Sequence, residues 1–283
     1  MKRKLGLKIN WKFLPLAALY IFVIAYFLIR FFLFFPNCEG VDWQIFRSAT
    51  LHLLESGNPY LEPQFYNPPW ILIPLIPLVF LPFKIGFALL MVLNVATYSY
   101  LLIKFGANII TALVLLLSPF VMVALTSGQI DFIAVIGVLL PPQIGLIFVL
   151  SKPQTCGLIS IIWLIQAWKK GRWREIITVF LPVSILFLIS FIIFGFYPLN
   201  YKNLTGNNVS WNSSFWPFSI PLGLWLLYKS IKKNKLNYAF PATPLLSPYF
   251  AYHSLPIAFI GLLPHQSIVI ISIVITWLLI PNK

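Results

Sequence analysis

Chemistry on this chain has few places to reside. Six acidic residues stand among 283, and four of them, Glu39, Asp42, Glu55 and Glu62, crowd into the connector "EGVDWQIFRSATLHLLESGNPYLEPQFYNPPW". A carboxylate at the edge of an apolar chain can take a proton from a hydroxyl. After Asp42, the residues Ile45, Phe46, Ala49, Leu53 and Leu54 recur at helical spacing, with Gln44, Ser48, His52 and Glu55 turned away. This pattern predicts an amphipathic surface helix ended by Gly57. Asp42 sits at or just before its start, either as an N-cap or as a general base. Glu39 either assists it or is a solvated charge, as Glu55 and Glu62 are expected to be.

Other residues could handle an anion or a sugar. Arg47 on the same helix is a candidate for phosphate. Tyr60 in "GNPY" and Tyr66 in "YNPP" either line a sugar site or form an interfacial aromatic belt. Lys152 is isolated between apolar runs, where it either snorkels to the membrane surface or meets an anion. Gln129 and Asp131 open another apolar run, and bind a substrate hydroxyl or tie helices together. His253, in "SPYFAYHS", shares proton handling, contacts phosphate or simply packs. Cys38 and Cys156 form no disulfide framework or metal spacing. Gly-rich phosphate loops are absent, no carboxylate and histidine cluster suggests a metal, and neither metal nor cofactor is expected.

The elements that must position these residues are membrane helices. The chain is 60% hydrophobic and 9% charged, with a mean hydropathy of +0.90, values that would leave a water-soluble domain coated in apolar surface. Apolar runs fall near 13–35, 68–83, 85–103, 109–125, 130–150, 153–168, 176–197, 215–228, 239–252, 254–264 and 267–281. The expectation is an all-α, multi-pass bundle of about 9–11 spans forming a single integral membrane domain over 1–283, with 36–67 as the first outer loop. The first run is too long for a signal-peptide core and should remain as a span. Pro74, Pro77, Pro141, Pro142, Pro244, Pro248 and Pro256 interrupt the others, as broken helices beside protein or a wet cavity can tolerate.

The net charge is +14, and thirteen of the twenty basic residues form three clusters, at 2–12, 169–174 and 229–235, each beside an apolar run. That is the pattern of cytoplasmic loops facing anionic lipid, and it argues against nucleic acid as a partner. Counting spans by parity puts all three clusters and the N-terminus inside. It puts the 39–70 loop, Lys152, the Asn-rich loop "LNYKNLTGNNVSWNSS" and His253 outside. Gln129 and Asp131 fall inside, unless Pro141 and Pro142 split the 130–150 run into a re-entrant pair, which moves them outside.

The stretch "VDWQIFRSATLHLLESGNPYLEPQFYNPPWILIPLIPLVFLP" resembles the first outer loop and second span of the family 87 glycosyltransferases of the GT-C superfamily, the polyprenol-phosphate-mannose-dependent alpha-mannosyltransferases. Downstream, "SPFVMVALTSGQID", "SKPQ" and "LLSPYFAYHSLPIAFIGLLP" are similar to that family's Ser-Pro and Gly-Gln, Lys-Pro, and late Ser-Pro segments, in the same order. The stretch between "GQID" and "SKPQ" is shorter than the family pattern. The resemblance implies transfer of a hexose, mannose by analogy, from a polyprenyl-phosphate donor to a glycolipid or cell-envelope glycan on the extracytoplasmic face, with Asp42 as base. Broken helices and intramembrane polar residues also suit a transporter or lipid flippase. The abbreviated segments also suit a non-catalytic relative.

Overall fold

The computed structural model describes residues 39–201 and 212–279. The expected first span at 13–35, the basic cluster at 2–12 and Cys38 lie outside the described residues. Within them the chain is helical, with a single bridge between Asn212 and Ala251 as its one extended pairing. The longer helices are α1 (Val41–Ser56), α2 (Phe83–Lys104), α3 (Ile109–Leu116), α4 (Pro119–Ser127), α5 (Asp131–Ile136) and α6 (Pro142–Val149). They continue as α7 (Leu158–Phe194), α8 (Ile220–Lys233), α9 (Ala239–Leu246), α10 (Pro256–Gly261) and α11 (Gln266–Leu279).

The chain runs back and forth between two ends. The start of α2 lies beside α1, where the Trp43 indole donates to the Phe83 carbonyl at 3.3 Å. The far end of α2 meets later chain, with Phe105 edge-on to Phe240 at 5.4 Å and Gln266 bonded to the Gly106 carbonyl at 3.1 Å. Helices α3 and α4 return as one bent unit, turning 49° at Ser118. Its hydroxyl accepts from the Val121 amide at 3.4 Å, and Pro119 occupies the first helical position, where a missing N–H costs nothing. Helix α7 is itself two limbs, turned at Gly171 and Arg172 by non-helical backbone. The first limb leads to the end bearing the basic loops, and the second comes back to place Phe194 5.8 Å from Tyr60.

Two of the expected spans do not cross from end to end. The 68–83 run forms a 3-10 helix, Pro69–Leu75, and one α-turn, Ile76–Val79, and stays beside α1, where Arg47 Nη2 donates to the Val79 carbonyl at 3.3 Å. Prolines at 68, 69, 74 and 77 remove donors too often for a regular helix to persist. The 130–150 run is a hairpin, α5 and α6, reversed at Leu140 and Pro141. Its limbs touch through glycines: a Cβ on Gly137 would lie 2.5 Å from the Gly145 carbonyl oxygen, and one on Gly145 would lie 2.4 Å from that of Gly137. The run is therefore split at the prolines rather than continuous, and Gln129 and Asp131 share an end with Lys152.

Among the described residues, two helices are long and apolar enough to cross a membrane, α2 and α7, or up to four if α3 with α4 and Tyr252–Gly261 with Leu263–Leu278 each count as one bent span. The return limb of α7 is the most exposed of these, with Ile177 56%, Leu188 59% and Ile192 75% accessible. A face of that kind calls for an apolar environment. At the α1 end the core is tight, and Trp43, Phe65, Ile71, Leu72 and Phe87 are fully buried.

Candidate functional site

The site is assembled from helix ends. Helix α4 stops at Gly128, whose φ of 80° is a conformation that a side chain resists. Gln129 and Ile130 then lead into Asp131, the first residue of α5. At the other limb of the hairpin, α6 ends and Lys152 caps a single turn, Pro153–Cys156, begun by Pro153. Because the limbs are antiparallel, Asp131 and Lys152 arrive side by side.

They form a buried ion pair. Lys152 Nζ lies 2.7 Å from Asp131 Oδ1, with both side chains almost wholly out of solvent, and Nζ also donates to Gln129 Oε1 at 2.8 Å. Thr155 donates to Asp131 Oδ1 at 2.9 Å and Ser254 to Oδ2 at 3.1 Å. His253 Nε2 stands 3.6 Å from Oδ2. The Gln129 carbonyl in turn accepts from Asn94 of α2 at 3.0 Å. A carboxylate at this depth demands such a complement of donors, since desolvation otherwise exceeds the Coulombic gain. Lys152 therefore neither snorkels nor stands free; its charge is spent on Asp131.

Asp42 lies at the rim of this cluster. Helix α1 begins at Val41, with Gly40 left-handed at the cap position and no side-chain capping bond. The N-cap reading of Asp42 is thus replaced by a half-buried carboxylate inside the first turn, at the positive end of the helix dipole. The buried face of α1 is Trp43, Phe46, Ala49 and Thr50, while Leu54 is 44% exposed, so the apolar stripe is rotated from the expected one. The helix packs on protein along it. Trp43 anchors α1 against Gly128, where a Cβ would come within 2.6 Å of the Trp43 Cβ. Asp42 is in electrostatic reach of His253. Burial first, and then the charges of Asp42, Tyr66 and Asp131, push the Tyr249 phenol above its ordinary value.

Of the residues singled out by sequence, Asp42, Tyr66, Gln129, Asp131, Lys152 and His253 are brought to one place. Arg47 and Tyr60 are not. Five residues along α1 turn Arg47 well away from Asp42, into an open groove of about 540 Å³ that it shares with Gln44, Ser48, Leu51, His52, Glu55 and Phe83. Tyr60 is a packing residue: its ring stacks on Tyr197 at 5.1 Å and its hydroxyl donates to the Asn67 carbonyl at 3.0 Å. Asn67 then donates to the Ser151 carbonyl at 3.1 Å, fixing the connector beside Lys152.

Sequence reasoning missed Trp43, Thr155, Tyr249 and Ser254. Each lies within three or four residues of one it found, and the signal available was the Pro-started turn after Lys152 and the second serine in "SPYFAYHS". Among the described residues no three His, Cys, Asp or Glu side chains converge as a metal site. Compared with known proteins, the chain matches no family model, no curated protein and no solved structure.

Proposed function

We propose that this chain is a multi-pass membrane glycosyltransferase of GT-C type, with the Asp42 end extracytoplasmic and the basic loops at the cytoplasmic face. It moves a hexose, mannose by resemblance, from a polyprenyl-phosphate donor to a glycolipid or cell-envelope glycan. One observation carries the reading. The four segments on which the resemblance rests, up to about 200 residues apart in the sequence, meet at one end of the fold around Asp42, Gln129, Asp131, Lys152 and His253.

In this reading the acceptor hydroxyl attacks the anomeric carbon of the donor. Asp42 takes the hydroxyl proton, the bond from that carbon to the phosphate oxygen breaks, and the electron pair leaves on the polyprenyl phosphate. His253 is the group that reaches from the buried cluster toward Asp42, with its side chain 16% exposed, and it contacts the phosphate. Lys152 acts behind it by balancing Asp131, while Tyr66 and Tyr249 wall the sugar.

The test is transfer of radiolabelled sugar from polyprenyl-phosphate-mannose to membrane lipid extract by purified wild type and Asp42→Asn at matched folding. The variant is expected to lose about 10²–10⁴-fold in rate, the usual contribution of a general base. Equal rates would move the base elsewhere. Inactive wild type with both mannose and glucose donors would remove the transferase reading.

A further inference from the structure

The end of the molecule away from Asp42 carries two basic loops that are distant in sequence and joined in the fold. Gln166 Nε2 donates to Asn234 Oδ1 at 2.8 Å, holding the turn of α7 against the end of α8. Lys169, Lys170, Arg172 and Arg174 come from the first loop, and Lys229, Lys232, Lys233 and Lys235 from the second. Glu175 is the one acid beside them, and it is paired with Lys170. Among the described residues, the other seven have no carboxylate partner.

Aromatic rings are interleaved with these charges. Lys229 Nζ sits 3.5 Å from the centre of the Trp225 ring, and Lys233 Nζ donates to the Tyr238 hydroxyl at 3.0 Å. Trp168 meets Trp173 edge-on at 5.3 Å. Trp173 is 67% exposed, Trp225 50% and Tyr228 57%. Directly beyond the rings, apolar side chains on the same helices are exposed, Ile177 at 56% and Leu224 at 53%. Cations at headgroup level, indoles at the interface and aliphatic surface below match a lipid better than an acidic protein or a nucleic acid, neither of which has use for the aliphatic layer.

We infer that the two loops together form a binding site for an anionic phospholipid whose headgroup bears two phosphates, one held by each loop, with its acyl chains along α7 and α8. The inference needs the membrane location alone and is independent of sugar transfer. A single-phosphate lipid would engage one loop at a time. A two-phosphate headgroup spans both, and the second contact becomes intramolecular and stronger.

The test uses the full chain in neutral detergent, with tetraoleoyl cardiolipin as probe and dioleoyl phosphatidylglycerol and phosphatidylcholine as references, read by native mass spectrometry and by thermal unfolding. Cardiolipin is expected to bind at defined stoichiometry and to raise the unfolding temperature more than phosphatidylglycerol at twice the concentration. Lys169→Ala with Arg174→Ala, and separately Lys229→Ala with Lys233→Ala, should each weaken cardiolipin binding about thirty-fold, from two surface charges removed. Lys229→Arg with Lys233→Arg should retain binding, which separates loss of charge from loss of fold. Equal response to cardiolipin and charge-matched phosphatidylglycerol would overturn the site, leaving a diffuse field. So would unchanged binding in either Ala pair, or displacement of cardiolipin by a short RNA at equal charge.

Discussion

At the scale of single residues, the buried pair of Asp131 and Lys152 decides what the site can do. Both stand out in the sequence as lone charges beside apolar runs, where isolation reads as substrate contact, as snorkelling for Lys152 or as a tie between helices for Asp131. That they answer each other is not legible there: Pro141 and Pro142 leave a hairpin open as one of two readings, and nothing in residue spacing announces the close approach of Gly137 to Gly145 that sets its limbs together. The pair also makes a prediction about stability. Lys152→Met leaves Asp131, with no exposed surface, as a buried charge missing its main partner, and is expected to cost about 3–5 kcal/mol. Adding Asp131→Asn should recover a large part of this, since a neutral amide can still be served by Thr155 and Ser254. Thermal unfolding of the wild type and these two variants in detergent checks it. Should the double variant be no more stable than Lys152→Met, charge balance would not be what Lys152 supplies.

At the scale of elements, starts and stops are more readable than lengths. Gly57 ends α1 as expected, with φ 74°, and the Ser-Pro and Lys-Pro pairs prove to open helical turns at Pro119 and Pro153. Those local signals are set by backbone sterics alone. Lengths fail because a proline-broken apolar run reads the same whether it crosses the molecule, as α3 with α4 does across Pro119, or stays beside α1, as 68–79 does. Which one occurs depends on tertiary partners such as Trp43 and Arg47. The left-handed glycines that end α1 and α4, Gly57 and Gly128, offer a direct contrast. Gly57 has nothing within 4 Å of an added Cβ, so Gly57→Ala should cost about 1–2 kcal/mol for conformation alone. At Gly128 the same carbon would meet Trp43 at 2.6 Å and Phe87 at 2.9 Å, adding about 1–3 kcal/mol of overpacking. Gly128→Ala should also shift Trp43 emission, and move Asp42 relative to Gln129. Equal destabilisation by the two substitutions would mean that α1 can lift from α4 without penalty.

At the scale of the whole molecule, the grouping of basic clusters opposite the Asp42 end survives two changes of span count that cancel. The run at 68–83 reads as a crossing in the sequence, and that at 130–150 as either a crossing or a pair split at Pro141 and Pro142; neither runs from end to end in the fold, so the parity between the described basic clusters and the Asp42 end is unchanged. The molecule has a polar, carboxylate-bearing end and a basic, indole-rich end, joined by helices whose outward faces are aliphatic. A membrane is the environment that suits all three layers at once, and the orientation proposed above sets the basic end on the cytoplasmic side. Single cysteines test this arrangement directly. In a background with Cys38 and Cys156 replaced by serine, Gln64→Cys, on the exposed part of the connector, and Asn234→Cys, exposed between the basic loops, should react with a membrane-impermeant maleimide from opposite sides of intact cells and inverted vesicles. Gln64→Cys should label in cells and Asn234→Cys only in inverted vesicles. Labelling of both from one side would leave the two ends in the same compartment, and Asp42 could not then face outward while the basic loops face in.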